Sequence, residues 1–141
     1  MHPTLMNRLD RAFRLTHDLV THLDNASLQL DLPGLPSNRI AGQMWCIIGA
    51  RESYIRAMQA GAWQGFGCSL AVPLDRAAVL SALEQTHARL ARLNIAQWTD
   101  DRLSLAVDLL EHEVQHHGQL IRFVYANRLS FPESWKNRYT V

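Results

Sequence analysis

Lysine is almost missing from this chain: Lys136 is the only one, and 14 basic residues against 13 acidic ones leave a formal net charge of +1. A surface that neutralises a phosphate backbone needs clustered cations. No basic stripe is present, so nucleic-acid binding is not expected. Cysteine is scarce too. Cys46 and Cys68 make no disulfide framework and read as thiols. No apolar run approaches the roughly 18 residues that span a bilayer. Met1-His2-Pro3-Thr4 leads into an amphipathic segment without the basic start, apolar centre and small-residue cleavage site of a secretory signal. The expectation is cytoplasmic residence with no membrane partner. Internal repeats, low-complexity tracts and strand-like alternation are lacking as well.

What is present suits one all-α domain spanning residues 1–141: 48% of the residues are hydrophobic and 19% charged, an ordinary balance for a folded domain. Leu5, Leu9, Ala12, Thr16, Val20 and Leu23 recur at helical spacing opposite Arg8, Arg11, Arg14 and Asp18, which predicts a first amphipathic helix. Leu32-Pro33-Gly34-Leu35-Pro36 must break it. Ser37 or Asn38 then caps a second helix, with Ile40, Met44, Ile47, Ile48, Tyr54, Ile55 and Met58 on its apolar face. Gln59 to Pro73 reads as a long glycine-rich connection with a short helical turn around Trp63. Asp75 opens a third helix, and Asp100 or a neighbour opens a fourth that runs to about Leu129. Ser130-Phe131-Pro132 leaves a tail carrying Trp135 and Tyr139 that folds back. The predicted fold is a four-helix bundle with a long loop between its first two helices and the C-terminal tail packed on it.

The fourth helix is apolar over more than half its circumference. Leu103, Val107, Leu110, Val114, Ile121 and Val124 form one stripe; Leu105, Leu109, Leu120 and Phe123 form another beside it. One stripe covered by the bundle and the other by a second copy predicts a homodimer.

His112 and His116 lie at the margin of the second stripe, one turn apart, with Asp108 a further turn back. That spacing puts two imidazoles on one face where they can share a cation, and a carboxylate one turn away can orient a ligand. A third ligand must come from another helix. Cys46 is the candidate, in a strip of small residues made by Gly42, Ala50, Ser53 and Ala57. A thiolate with two imidazoles suits zinc, with nickel or another first-row metal as alternatives. Cys46 also reads as a small buried apolar residue.

His112-Glu113-Val114-Gln115-His116 matches the His-Glu-x-x-His pattern of zinc peptidases, in which Glu113 would activate water. The longer pattern is not met, because Gly118 falls one residue early and no third histidine follows His117. Glu113 and His117 point into the apolar arc, and the favoured reading has them bonded to each other at a packed surface. His87 reads as a satisfied border residue.

Across nearly its whole length the chain resembles the DinB-like (damage-inducible) four-helix-bundle metalloproteins. The resemblance rests on Leu32-Pro33-Gly34, Ser37-Asn38-Arg39-Ile40, Cys46-Ile47-Ile48-Gly49-Ala50-Arg51-Glu52, His112 to Leu120 and the closing Phe131-Pro132-Glu133-Ser134-Trp135. Such proteins bind a divalent metal through one histidine on the second helix and a His-x-x-x-His followed by Arg-Gly-Gln on the fourth. Here both fourth-helix histidines are present, His117 stands at the arginine and Cys46 at the second-helix histidine. The resemblance implies a metal site of Cys46, His112 and His116, and a function as a thiol S-transferase or related metal-assisted enzyme acting on a small thiol or other small molecule. The alternative is a non-catalytic, stress-associated scaffold with a degenerate metal site.

Overall fold

Side chains three and four apart give α1 (Pro3–His22) one dry face: Leu9, Phe13, Leu19 and Val20 are fully buried. In a computed structural model that describes residues 3–71, 75–95 and 97–141, the same logic generates three more long helices, α3 (Ile40–Ala60), α4 (Arg76–Ala91) and α5 (Asp100–Ala126), with short helices α2 (Asn25–Leu28) and α6 (Glu133–Tyr139). All regular structure among the described residues is helical. None of these helices is long and apolar enough to cross a membrane. The long helices pack α1 on α4 and α5, and α3 on α4 and α5.

Several boundaries differ from the sequence expectation. Neither Ser37 nor Asn38 caps α3; the N-cap is Arg39, without a side-chain bond. The loop folds back so that Ile40 N–H donates to Leu30 C=O at 3.0 Å. This commits Ser37 Oγ to Asp31 and Asn38 Oδ1 to Gln43 Nε2. α5 begins at Asp100 as expected, with its neighbour Thr99 as the cap, accepting from Arg102 N–H. Asp75 caps α4 as expected, accepting from Ala78 N–H at 2.7 Å.

No helical turn forms around Trp63. Residues 62–71 lie instead along α3, with Trp63 against Tyr54 and Phe66 against Trp45, ring centroids 4.9 and 5.4 Å apart. Ser53 Oγ accepts from Gly67 N–H at 3.0 Å and donates to Gly67 C=O at 3.2 Å, so the strap finds partners for its backbone outside any helix. It passes over Gly49, where a Cβ would come within 2.3 Å of the Phe66 ring. The remainder of that connection, through Pro73, lies outside the described residues.

Two apolar clusters fill the interior. One joins the C-terminal half of α1 to the first halves of α3 and α4, the second half of α5 and Trp135. The other joins Leu9 and Phe13 to Ile55, Met58, Leu90, Ala106 and Leu109. Since α3 and α4 both finish at the second cluster, the strap returns the chain along α3. α6 closes the first cluster. Trp135 is fully buried and its Nε1–H donates to Leu15 C=O at 2.6 Å, so the tail folds back as its aromatic residues suggested.

Candidate functional site

Between the two apolar clusters lies a polar layer. Arg51 of α3 is fully buried inside the stripe Met44, Ile48, Ile55 and Met58, and it faces the fully buried Glu113 of α5. Its Nε donates to Glu113 Oε2 at 3.0 Å and its Nη2 to Oε1. Nη1 reaches Thr86 Oγ1 at 3.3 Å, Nη2 reaches Phe13 C=O at 3.4 Å, and the guanidinium lies 3.6 Å from the Phe13 ring centroid. Fork, carboxylate and ring thus satisfy one another away from water.

The layer continues in a determinate direction. Thr16 Oγ1 donates to Glu113 Oε1 at 2.5 Å and therefore accepts from His117 Nε2–H at 2.8 Å. His117 Nδ1 is then the ring's lone-pair nitrogen, and it accepts from Tyr139 O–H at 2.6 Å. This tautomer is neutral. Burial pushes His117 down to about 4, outweighing the attraction of Glu113. Burial alone would raise Glu113, but the charge and hydrogen bonds of Arg51, with help from His117 and Thr16, hold it below the usual carboxylate range. The expected pairing of Glu113 with His117 is present as proximity, 3.9 Å, with Thr16 carrying the hydrogen bonds between them.

One residue before each member of this pair, α5 sends His112 and His116 to a different side. Their ring centroids lie 4.6 Å apart. His116 is buried and its Nδ1 bonds Gln43 Oε1. Gln43 Nε2 donates to Asn38 Oδ1 at 2.7 Å, which turns its carbonyl toward the imidazole. Asn38 lies over Gly42, where a Cβ would meet its side chain at 3.0 to 3.2 Å. Gly42, Asn38 and Gln43 therefore form a chain of support for one imidazole. An amide oxygen can only accept, so His116 Nδ1 carries the hydrogen and Nε2 keeps its lone pair. Burial, then His112, push His116 down to about 4 against the opposing pull of Glu113, keeping the ring neutral. The Nε2 of His112 is buried with no hydrogen-bond partner. Orphaned buried polar atoms are rare, and among the described residues the other such side-chain atom is Ser134 Oγ.

The α3 side chain that meets this pair is Gln43, three residues before Cys46. Both cysteines are free and half-buried, and burial pushes both thiols up. Among the described residues, no three histidine, cysteine or carboxylate side chains are grouped closely enough to hold one ion, so Cys46 does not stand with His112 and His116 as a third donor. Asp108 is exposed, and its charge acts on Tyr54. His87 bonds Asp10 at 2.7 Å, the satisfied border role its position suggested.

A cavity of about 300 Å³ adjoins Gln43, lined by Leu32, Asn38, Gln119, Arg122 and Phe123 among others. His112, His116, Gln119 and Phe123 share one face of α5 through spacings of four, three and four. Two imidazoles thus stand on the helix face that continues into a cavity. Comparison with protein families and with curated proteins finds no match to this chain.

The sequence pattern alone did not single out Arg51, Gln43 or Tyr139. Arg51 had a signal, since a charge in an apolar i, i+3, i+4 stripe demands a buried partner and Glu113 was already visible in the facing stripe. Gln43 carried no such mark.

Proposed function

We propose that this is a cytoplasmic, DinB-like four-helix-bundle protein that binds a divalent metal ion at His112 and His116, with zinc the first choice and nickel or another first-row metal next. The observation that carries the reading is the orphaned Nε2 of His112 beside an imidazole whose Nδ1–H is already committed to Gln43. A ligating histidine characteristically donates its other N–H to a carbonyl or carboxylate, which fixes ring and tautomer. The closed cycle of contacts among four long helices supports the bundle.

Two of the three expected donors fit an ion. Cys46, one turn beyond Gln43 on α3, is the third in this reading, and its thiol must approach and lose its proton on loading. A divalent ion held there would acidify a small thiol or water, the chemistry of a thiol S-transferase or related enzyme. The chain's own part is to keep the His116 ring neutral, to aim it through Gln43 and to offer the adjoining cavity to the small molecule. Peptidase chemistry finds little support, because both Glu113 oxygens are held by Arg51 and Thr16. A non-catalytic scaffold is favoured by one observation, the lack of a grouped third donor among the described residues.

A second copy of the chain is the proposed partner. On α5, Val107, Val114 and Tyr125 are 40%, 41% and 51% exposed, in line with Leu103, Leu110 and Ile121. An antiparallel pair centred on Val114 would set Val107 against Ile121, Leu103 against Tyr125 and Leu110 over the bare backbone of Gly118.

Elemental analysis of protein purified without chelator tests the metal reading. About one ion per chain is expected, lost in His112→Ala and His116→Ala and weakened in Cys46→Ala. A wild-type protein that neither carries nor acquires a divalent ion overturns it and leaves the scaffold. Turnover of small thiols with an electrophile, abolished by chelation, separates enzyme from metal-binding protein.

A further inference from the structure

We propose that the cavity beside Gln43 binds a small carboxylate with an apolar body, anchored by Arg122; this assigns a ligand class to the His112/His116 site and rests on that site only for what happens to the ligand after binding. The cavity measures about 300 Å³, the lower end of the range for small-molecule pockets. Leu32 and Phe123 supply apolar wall, and Asn38, Gln43 and Gln119 supply amides.

Arg122 is the only ionisable side chain of the lining, and among the described residues no carboxylate lies within ion-pair distance of it. The nearby acid is Asp31, whose carboxylate is held below its usual range by Ser37 and the Leu32 N–H, with desolvation opposing and Arg39 adding a smaller pull. Ser37 Oγ spends its hydrogen on that acid. Asn38 accepts from Gln43 through Oδ1, so its Nδ2 remains the donor end. The cavity therefore presents one unmatched guanidinium fork and amide donors above an apolar wall. A planar fork pairs bidentately with a single carboxylate, and the wall takes an apolar chain. An uncharged molecule of the same shape would leave Arg122 without a counter-ion.

The probes are hexanoate and hexanamide, of like shape and different charge, titrated into chelator-treated protein and followed by amide chemical shifts. Hexanoate is expected to perturb Gln43, Gln119 and Phe123 and to bind about tenfold more tightly than hexanamide, the scale of one charge-assisted bond. Arg122→Gln, at an exposed position where substitutions usually cost little stability, is expected to erase that difference. Equal binding of the two probes, an unchanged preference in Arg122→Gln, or shifts confined to other surfaces overturns the proposal. Because no metal is present in this titration, its failure is distinct from failure of the metal reading.

Discussion

Two pairs of side chains four residues apart interleave on α5, Glu113 with His117 and His112 with His116, and a step of about 100° around the helix axis separates their fates. Glu113 and His117 face the interior, where their polar atoms find partners in Arg51, Thr16 and Tyr139. His112 and His116 face the edge against α3, where Gln43 fixes one ring and the other keeps a buried nitrogen without a partner. Spacing is the same in both. A closed network stabilises one fold, whereas the Nε2 of His112 is a valence that no protein group fills.

The largest expected effect would break or uphold that contrast directly. Glu113→Ala leaves the Arg51 guanidinium buried and uncompensated, a loss of about 3–5 kcal/mol of stability in denaturant titrations. His112→Ala removes a nitrogen that bonds nothing, and it should cost under about 1 kcal/mol in chelator-treated protein. Arg51→Met with Glu113→Leu should recover much of the Glu113→Ala loss, since well-packed apolar replacements often match a buried ion pair. Equal costs for the two single variants would erase the distinction between the pairs.

Acid comes next. His117 and His116 have folded pKa values of about 4 against an ordinary 6.5. The unfolded chain then binds more protons than the native one between those values. Their stabilising contribution is whole above about pH 6.5 and falls as pH drops toward 4. For the fully buried His117 the loss reaches about 3 kcal/mol. Glu113, also held below its ordinary 4.5, keeps its contribution above about that pH and loses it only as pH falls further. Denaturant midpoints from pH 7 to 4, with chelator present, should therefore decline, and His117→Gln should decline less. A wild-type midpoint that stays level from pH 6.5 to 4.5 would mean that the buried rings carry a proton after all.

How much of this was legible follows the same division. Repeating apolar spacings located the long helices, and the Trp135 tail fell where its aromatic residues and Pro132 placed it, because those signals are local and dense. The histidine pair was legible for the same reason. Caps were misread where tertiary partners captured the side chain, as Asp31 does Ser37 and Gln43 does Asn38. The strap around Trp63 was misread because Ser53 and Glu52 satisfy its backbone from another helix. Gln43 was invisible. A neutral amide beside an imidazole depends on how α3 and α5 pack, which no spacing within either helix reveals.

Gly42→Ala sharpens the comparison at the edge alone. The added methyl presses on the Asn38 side chain, loosens Gln43 and frees His116 to turn. Stability should change by no more than about 1 kcal/mol, since alanine favours the helix while crowding Asn38. If His112 and His116 hold an ion, metal affinity should fall about tenfold or more, the usual cost of removing support from a ligating histidine. A variant that binds metal as wild type does would show that the Gly42–Asn38–Gln43 chain only fills space.

The smallest effect on the chain itself lies on the remaining side of α5. Val114→Glu replaces a side chain that is already 41% exposed and touches neither pair, so the protomer should lose no more than about 0.5 kcal/mol. In an antiparallel pairing, however, Val114 meets its own counterpart at the symmetry axis, and two carboxylates would face each other there. Sedimentation equilibrium should then give a dimer for wild type and a monomer for the variant, with metal content unchanged, because the imidazole pair occupies a different face of the helix. A dimer that survives the substitution would place the second copy elsewhere and leave this apolar stripe without its proposed cover.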